Sequence, residues 1–484
     1  MLVGRKKEQG LLEKCYKSAE AEFVVIYGRR RIGKTYLIRE FFAKKVALIF
    51  EATGMQKGKL QTQLKNFADS LTATFVPGVK LEVSKSWMES FQQLTQFISQ
   101  HKSQKKKEKI VLFFDELPWM ATRKSGLLQA IDYYWNHHWS KMPNIILICC
   151  GSSASWLIRN IIYNKGGLHN RVTCEIKLNP FSLSETKAFL KNRKIKLSNQ
   201  HILSLYMALG GVPYYLRYVE RGLTAAQNIQ NIIFNKDAPL RGEFNKLFRS
   251  LFKDGDVYIE LIRLIAKRKE GVRRSELEAS NKFSAGGGRL TSRIKDLCEA
   301  GFIEEYVSWK KTRGEYYKLI DEFSLFYLHW VEKKKSVKFT KDHWVYQSNQ
   351  PSYKAWAGYA FESICMKHID QVCAALNIAT GGIVSSWRFV PTKKIETGVQ
   401  IDLLIDRNDN AITLCEIKYT IEPFIIDKQY ATKLQHKIEV FKKKTKIKKQ
   451  IFLVIISANG LKPSMHSEEM VDGLVVLDDL FKEK

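Results

Sequence analysis

Short apolar runs rich in β-branched and aromatic residues are interleaved with segments whose apolar positions recur at helical spacing, the pattern of an α/β chain. Phe23-Val24-Val25-Ile26-Tyr27 reads as a buried strand, and Tyr36-Leu37-Ile38-Arg39-Glu40-Phe41-Phe42 as the helix after it. Ile110-Val111-Leu112-Phe113-Phe114 and Ile145-Ile146-Leu147-Ile148-Cys149-Cys150 are two further buried strands. Val257 to Lys269 has helical spacing, and Arg289 to Leu297 forms a helix with one basic face behind Gly286-Gly287-Gly288. Phe302–Val307 and Tyr316–Ile320 read as a hairpin with Lys310-Lys311-Thr312-Arg313-Gly314 at its tip. Beyond a linker around Gln347–Pro351, a helix is expected from Trp356 to Leu376, then strands at Gln400–Ile405 and Ala411–Cys415. No apolar run approaches membrane-spanning length, so no membrane partner is expected.

Composition narrows this picture. A chain of 484 residues exceeds one ordinary core, and roughly two to four domains are expected. The start, Met1-Leu2-Val3-Gly4-Arg5-Lys6, lacks the apolar core of a signal peptide, and the eight cysteines lack CxxC spacing. Buried reduced thiols in a cytoplasmic protein are the expectation, not a zinc site. The net charge of +30 is unevenly spread: residues 1–235 hold 36 Lys+Arg against 16 Asp+Glu, residues 236–340 hold 23 against 16, and residues 341–484 hold 20 against 17. Such an excess points to a polyanion partner, most simply DNA, although lysine-rich chains also occur without one. Lys102 to Lys109 and Lys442 to Lys449 read as solvated charge runs.

The most specific chemistry lies between the first strand and the first helix after it. Gly28-Arg29-Arg30-Arg31-Ile32-Gly33-Lys34-Thr35 fits GxxxxGK[ST] in the strand–loop–helix context that this pattern needs. The glycines let backbone N–H groups turn towards phosphates, and the helix N-terminus adds a favourable dipole. Lys34 is expected on the β- and γ-phosphates of ATP and Thr35 on magnesium. Asp115 and Glu116 end the 110–114 strand, where open α/β sheets place ligands. Asp115 suits the magnesium shell and Glu116 a base that orients water; the competing reading is an acid pair capping a turn at Pro118. Ser152 is either a γ-phosphate sensor or a plain turn residue. Arg171 is either a finger, in cis or from a neighbouring subunit, or a surface charge.

Taken together, Leu2-Val3-Gly4-Arg5, the GRRRIGKT loop, FFDELPW, CCGSSASWL and Gly210-Gly211-Val212-Pro213-Tyr214-Tyr215-Leu216 resemble the archaeal-type ATPases, a prokaryotic AAA+-related group close to the STAND ATPases. The resemblance implies adenine contacts near Val3 to Arg5 and a helical lid over the nucleotide near Gly211 to Pro213.

The middle segment resembles a winged helix. Arg289, Arg293 and Lys295 then face a DNA groove with Lys310, Lys311 and Arg313 on its phosphates, or the module only packs. In the last segment, Glu416 and Lys418 share one face of a strand, because side chains alternate with period two. Burying them beside Asp402 is costly without a ligand. A magnesium ion between Asp402 and Glu416 removes that cost, and Lys418 can then orient water. Glu362, Asp402 and Glu416-x-Lys418 in this order resemble the PD-(D/E)XK nucleases, with Ile401 where a proline often precedes the central acid. The resemblance implies that Glu362 is the first-helix acid.

The expected architecture is thus a P-loop ATPase with helical lid (residues 1–220), a winged helix (221–340) and an α/β restriction-endonuclease-like domain (341–484). The expected function is ATP hydrolysis that gates DNA binding or cleavage by a magnesium-dependent deoxyribonuclease domain. Two rivals stay open: a STAND-like nucleotide switch with a catalytically silent DNA-binding domain, and a DNA-bound ATPase motor. A homo-oligomer or a protein partner is open as well.

Overall fold

The computed structural model describes residues 2–101, 108–268, 271–280, 283, 287–307, 309, 315–332, 342–379, 382–389, 391 and 398–483. The hairpin tip Lys310–Gly314, Gly286 and residues 102–107 of the first charge run lie outside them. The chain forms two compact units. One comprises Met1–Pro180 with Leu251–Lys253 and Ser292–Gly301, the other Phe181–Ser250, Asp254–Thr291 and Phe302–Lys484.

The first unit is built on a five-stranded sheet, β1 (Glu22–Tyr27), β2 (Ala47–Thr53), β3 (Lys109–Asp115), β4 (Ile145–Gly151) and β5 (Cys174–Lys177), in the order β2-β3-β4-β1-β5. Every neighbouring pair is parallel. Alternate side chains feed two cores. Phe23, Val25, Leu112, Phe114 and Leu147 pack on one face, while Val24, Ile26, Val111, Phe113, Ile146 and Ile148 pack on the other with Leu12 of α1 (Lys6–Lys17) and Leu37 and Ile38 of α2 (Lys34–Phe42). Burial on both faces is why these strands read as unbroken apolar runs. Because the strands are parallel, the segments after Tyr27, Asp115 and Gly151 all emerge at one edge.

The second unit opens with a helical segment. Within it Gly211 meets the Phe181 backbone so closely that the Phe181 N–H donates to Gly211 O at 2.6 Å. Pro213 follows at the start of a short helix, Pro213–Leu216, where its fixed φ and missing N–H cost nothing. Next come α3 (Gly255–Ile265), α4 (Arg274–Glu278) and α5 (Gly287–Glu299), the last divided between the units. β6 (Val272–Arg273), β7 (Ile303–Val307) and β8 (Glu315–Leu319) form an antiparallel sheet in the order β6-β8-β7. The β7–β8 hairpin matches the sequence reading; β6, only two residues long, carries no pattern that could have announced it.

The last segment carries α6 (Pro351–Lys367), β9 (Ile383–Phe389), β10 (Val399–Asp406), β11 (Ala411–Lys418), α7 (Lys428–Thr445), β12 (Gln450–Ser457) and β13 (Gly473–Val476). The sheet runs β13-β12-β11-β10-β9, antiparallel from β9 to β11 and parallel from β11 to β13, with α7 as the crossover. The helix expected over Trp356–Leu376 is two helices. α6 stops at His368, whose Nε2 accepts the Leu183 N–H at 3.1 Å and whose Nδ1 bonds Ile364 O at 2.8 Å, and a second helix runs from Ile369 to Ala375. The charge run at 442–449 is not a plain loop. Lys442–Lys444 form the last turn of α7, Lys446 caps it in the left-handed region, and Lys449 donates to Asp406 Oδ1 at 2.6 Å.

Candidate nucleotide and phosphodiester sites

The loop between β1 and α2 has the geometry of a phosphate cradle. Gly28 has φ of 150°, and a Cβ there would lie 2.2 Å from Leu178 O, so only glycine fits. Lys34 is buried in the first turn of α2, and its Nζ turns back into the loop, donating to Gly28 O at 2.9 Å and Arg29 O at 3.1 Å. Thr35 Oγ1 donates to Asp115 Oδ2 at 2.7 Å. The hydroxyl and carboxylate foreseen for magnesium therefore meet across the end of β4, although 80 residues separate them. An oxygen pair of this kind, beside a lysine aimed at the loop, suits a hard cation bridging to phosphates. Arg30 lies over the Trp119 ring at 5.8 Å, and Arg31 adopts φ of 75°. Ile32 is buried, and its carbonyl accepts from Arg5 Nη2 at 3.3 Å, so the Val3–Arg5 segment lies against the loop.

Glu116 adopts φ of 47° and caps the short helix Leu117–Met120, which is the turn Pro118 foreshadowed. Its side chain points the other way: Oε2 accepts both the Ser152 N–H at 3.0 Å and the Ser152 hydroxyl at 2.9 Å. The structure thus joins Gly28–Thr35, Asp115, Glu116 and Ser152 at one edge of the sheet. Arg171 is not among them. It precedes Thr173, whose N–H bonds Phe23 O at the start of β1, so it stands at the opposite edge. Five residues of extended β1 separate that edge from the loop, about 16 Å, farther than an arginine reaches. The cis form of the finger expectation is corrected accordingly; the form that uses a neighbouring subunit is unaffected.

On α5, Leu290, Ile294 and Leu297 are buried, while Arg289 and Lys295 are exposed and Arg293 is half-buried; Arg289 and Arg293, four apart, share a flank of the helix, and Lys295, about 160° around from Arg293, lies on the other. Lys295 lies 3.8 Å from Glu299.

A second cluster forms in the last segment. Asp402 sits where the register between β9 and β10 slips, between Ile401 and Leu404, an irregularity of the sort that re-aims side chains at sites. Its Oδ2 accepts the Ile417 N–H at 3.1 Å. Glu416 is buried on β11, and both its oxygens are held. Lys418 Nζ lies 2.8 Å from Oε1, the Tyr430 hydroxyl donates to Oε1 at 2.5 Å, and Lys437 Nζ donates to Oε2 at 2.7 Å. Burial alone would raise the Glu416 carboxyl, but Lys418 and Lys437 bring it below the usual range. Asp402, buried and beside the Glu416 charge, is pushed up. Glu362 on α6 is pushed up to about 7, by burial first and by Asp402 second. Lysines therefore fix Glu416 ionised, while its two neighbours hold protons more readily.

Tyr430 and Lys437 went unnoticed in the sequence. Their spacing of seven on a helix directly after Glu-x-Lys, with Leu434 between, puts them on one face and was the available signal. Lys318 of β8, half-buried and within electrostatic reach of Glu362 and Asp402, gave none, because nothing local ties a hairpin strand to acids far along the chain. Among the described residues no three His, Cys, Asp or Glu side chains converge as a ligand set. A divalent ion here would rest on Asp402 and Glu416 with water or phosphate oxygens, the sparse ligation magnesium accepts. Also among the described residues, no helix is long and apolar enough to cross a membrane.

An uncharacterized protein of Methanocaldococcus jannaschii is 24% identical over 430 residues, 87% of this chain and 88% of that one. An uncharacterized ATP-binding protein of the same organism is 44% identical over 45 residues, 9% of this chain and 76% of that one. A solved Walker-type ATPase of Pyrococcus abyssi, 17% identical, aligns with a TM-score of 0.46 over 68% of this chain and 96% of that one. A family model described as an ATPase domain predominantly from Archaea matches residues 2–219. Over those residues the chain is similar to this ATPase domain.

Proposed function

We propose that this ATPase is coupled to a magnesium-dependent DNA-cleaving site made by Glu362, Asp402, Glu416 and Lys418, and that ATP binding or hydrolysis gates DNA at that site. The observation that carries the reading is the gathering of Asp402, Glu416 and Lys418 at the β10–β11 hairpin, with Glu416 Oε1 2.8 Å from Lys418 Nζ. The helices α3 to α5 and the β7–β8 hairpin have the element order of a winged helix, which supplies a second DNA-contacting surface through Arg289, Arg293 and Lys295.

In the ATPase domain, Gly28 to Gly33 wrap the phosphates, Lys34 exchanges its two loop carbonyls for β- and γ-phosphate oxygens, and Thr35 with Asp115 would hold magnesium. Glu116 orients the attacking water once its carboxylate leaves Ser152, and Ser152 then faces the γ-phosphate. Magnesium supplies charge neutralisation on the phosphates. In the C-terminal site Asp402 and Glu416 would hold the metal, Lys418 steadies the water or the phosphate charge, and Glu362 in its protonated form bonds a phosphate oxygen.

The test is cleavage of supercoiled and linear DNA with magnesium or manganese, with and without ATP, by wild type, Asp402→Ala and Lys418→Ala. Cleavage lost in both variants supports the reading. One observation favours the rival, a nucleotide-driven switch with a silent DNA-binding domain: Lys418 and Lys437 already neutralise Glu416. Absence of cleavage by wild type under every condition decides for that switch.

A further inference from the structure

The β7–β8 hairpin brings a third lysine to the carboxylates. β8 is the middle strand of its sheet, and its side chains alternate. Tyr317 and Leu319 are buried on the face towards the hairpin's own core, so Lys318 emerges on the other face. There it is half-buried beside α6, its Nζ 5.3 Å from the centre of the Tyr359 ring. Tyr359 stands three residues before Glu362, hence on the same helical face. The charges that act on the Lys318 ammonium are those of Glu362, Glu304 and Asp402.

Lys318 differs from the other two lysines of the cluster. Lys418 and Lys437 are both committed to Glu416, at 2.8 and 2.7 Å. Among the described residues the Lys318 ammonium makes no hydrogen bond and no ion pair within 4 Å. A half-buried lysine near two acids, with its donors unspent, is placed to give them to a ligand. The acids alone would repel a phosphodiester, whereas the three lysines at least balance them whether or not Glu362 is protonated, and a bound divalent ion would add charge that attracts one.

We propose that Lys318 is a DNA-phosphate-binding residue of the C-terminal site, which makes that site a composite of the β7–β8 hairpin and the α6–β10–β11 cluster. The inference rests on the reading of that site as one that takes a DNA phosphodiester. It adds a contact from a separate structural module and a reason for the hairpin to pack where it does: cleavage or tight binding requires the hairpin in place. Lys318 donates to a non-bridging phosphate oxygen, while Asp402 and Glu416 serve the metal.

The experiment uses the full-length protein and a short fluorescent DNA duplex, with calcium in place of magnesium so that binding is read without turnover. Wild type, Lys318→Met, Lys318→Arg and Asp402→Ala are compared over a salt series. Lys318→Met is expected to weaken binding about tenfold and to lower the slope of log Kd against log salt by about 0.9, the signature of one lost phosphate contact. Lys318→Arg is expected to restore most of both. A role confined to packing moves the melting temperature and leaves the salt slope alone. Asp402-dependent binding with an unchanged or tighter Lys318→Met complex overturns the Lys318 assignment while the site's reading stands. Binding indifferent to Asp402→Ala overturns the reading of the site, and the assignment with it.

Discussion

Glu116 and Ser152 are joined twice through one atom: Glu116 Oε2 accepts the Ser152 backbone N–H at 3.0 Å and its hydroxyl at 2.9 Å. The carboxylate proposed to orient water is thus parked on the residue proposed to sense the γ-phosphate. Glu116→Gln is expected to leave ATP bound and unhydrolysed. Ser152→Ala keeps the backbone donor and loses the hydroxyl, so a smaller loss of turnover is expected, about tenfold. Steady-state hydrolysis alongside fluorescent-nucleotide binding checks both; normal turnover in Glu116→Gln removes that residue from its role.

Loss of ATP binding should separate into two kinds within the loop. Lys34→Ala removes the charge that the phosphates use and is expected to abolish measurable binding while leaving the fold. Gly28→Ala places a Cβ 2.2 Å from Leu178 O at a φ of 150°, so it is expected to abolish binding and lower the melting temperature as well. Calorimetric titration with ATP, paired with thermal melts, distinguishes a missing charge from a distorted loop.

The segment around Gly211 makes a purely structural prediction. A Cβ on Gly211 would lie 1.8 Å from Phe181 O and 2.7 Å from Phe181 N, both backbone atoms that cannot swing aside. Gly211→Ala is therefore expected to destabilise its unit by several kcal/mol, at the upper end of single substitutions. Denaturant melts give the value, and a loss under about 1 kcal/mol would show that the Phe181 backbone gives way.

These sites were unequally legible in the sequence. The nucleotide loop announces itself because its chemistry is contiguous: strand, Gly28 to Thr35 and helix sit within one short stretch. Asp115 and Ser152 were recoverable because parallel strands deliver their C-terminal ends to one edge. The acids of the second cluster were legible from order and strand period, down to the shared face of Glu416 and Lys418. Lys318 was invisible, since a contact between a hairpin strand and a helix far along the chain leaves no local trace. The break at His368 escaped for a related reason: helical apolar spacing continues through it, and the Leu183 N–H that His368 accepts at the break comes from a distant segment. Arg171 went wrong in its cis form because the sequence does not say which edge of a parallel sheet the turn before β5 occupies.

Glu362 should write its state into the pH dependence of stability. Its folded-state carboxyl lies at about 7 against an ordinary 4.5. The folded protein therefore binds this proton more tightly than the unfolded chain does. The associated stability is fully present below about pH 4.5 and is lost as pH rises through 7. A shift of this size is worth about 3 kcal/mol at most. His368 works in the opposite sense: burial lowers it to about 4 from 6.5, so its contribution is present above pH 6.5 and lost as pH falls towards 4. The two slopes offset each other in wild type, and the informative quantity is the difference between Glu362→Gln and wild type, measured by denaturant melts in EDTA from pH 4.5 to 7.5. The variant is expected to gain stability relative to wild type steadily across that window. A divalent ion held beside Glu362 stabilises its charged form, so magnesium or manganese is expected to flatten the difference. A difference that is flat in EDTA shows that Glu362 keeps an ordinary carboxylate in the folded chain and removes the protonated role proposed for it.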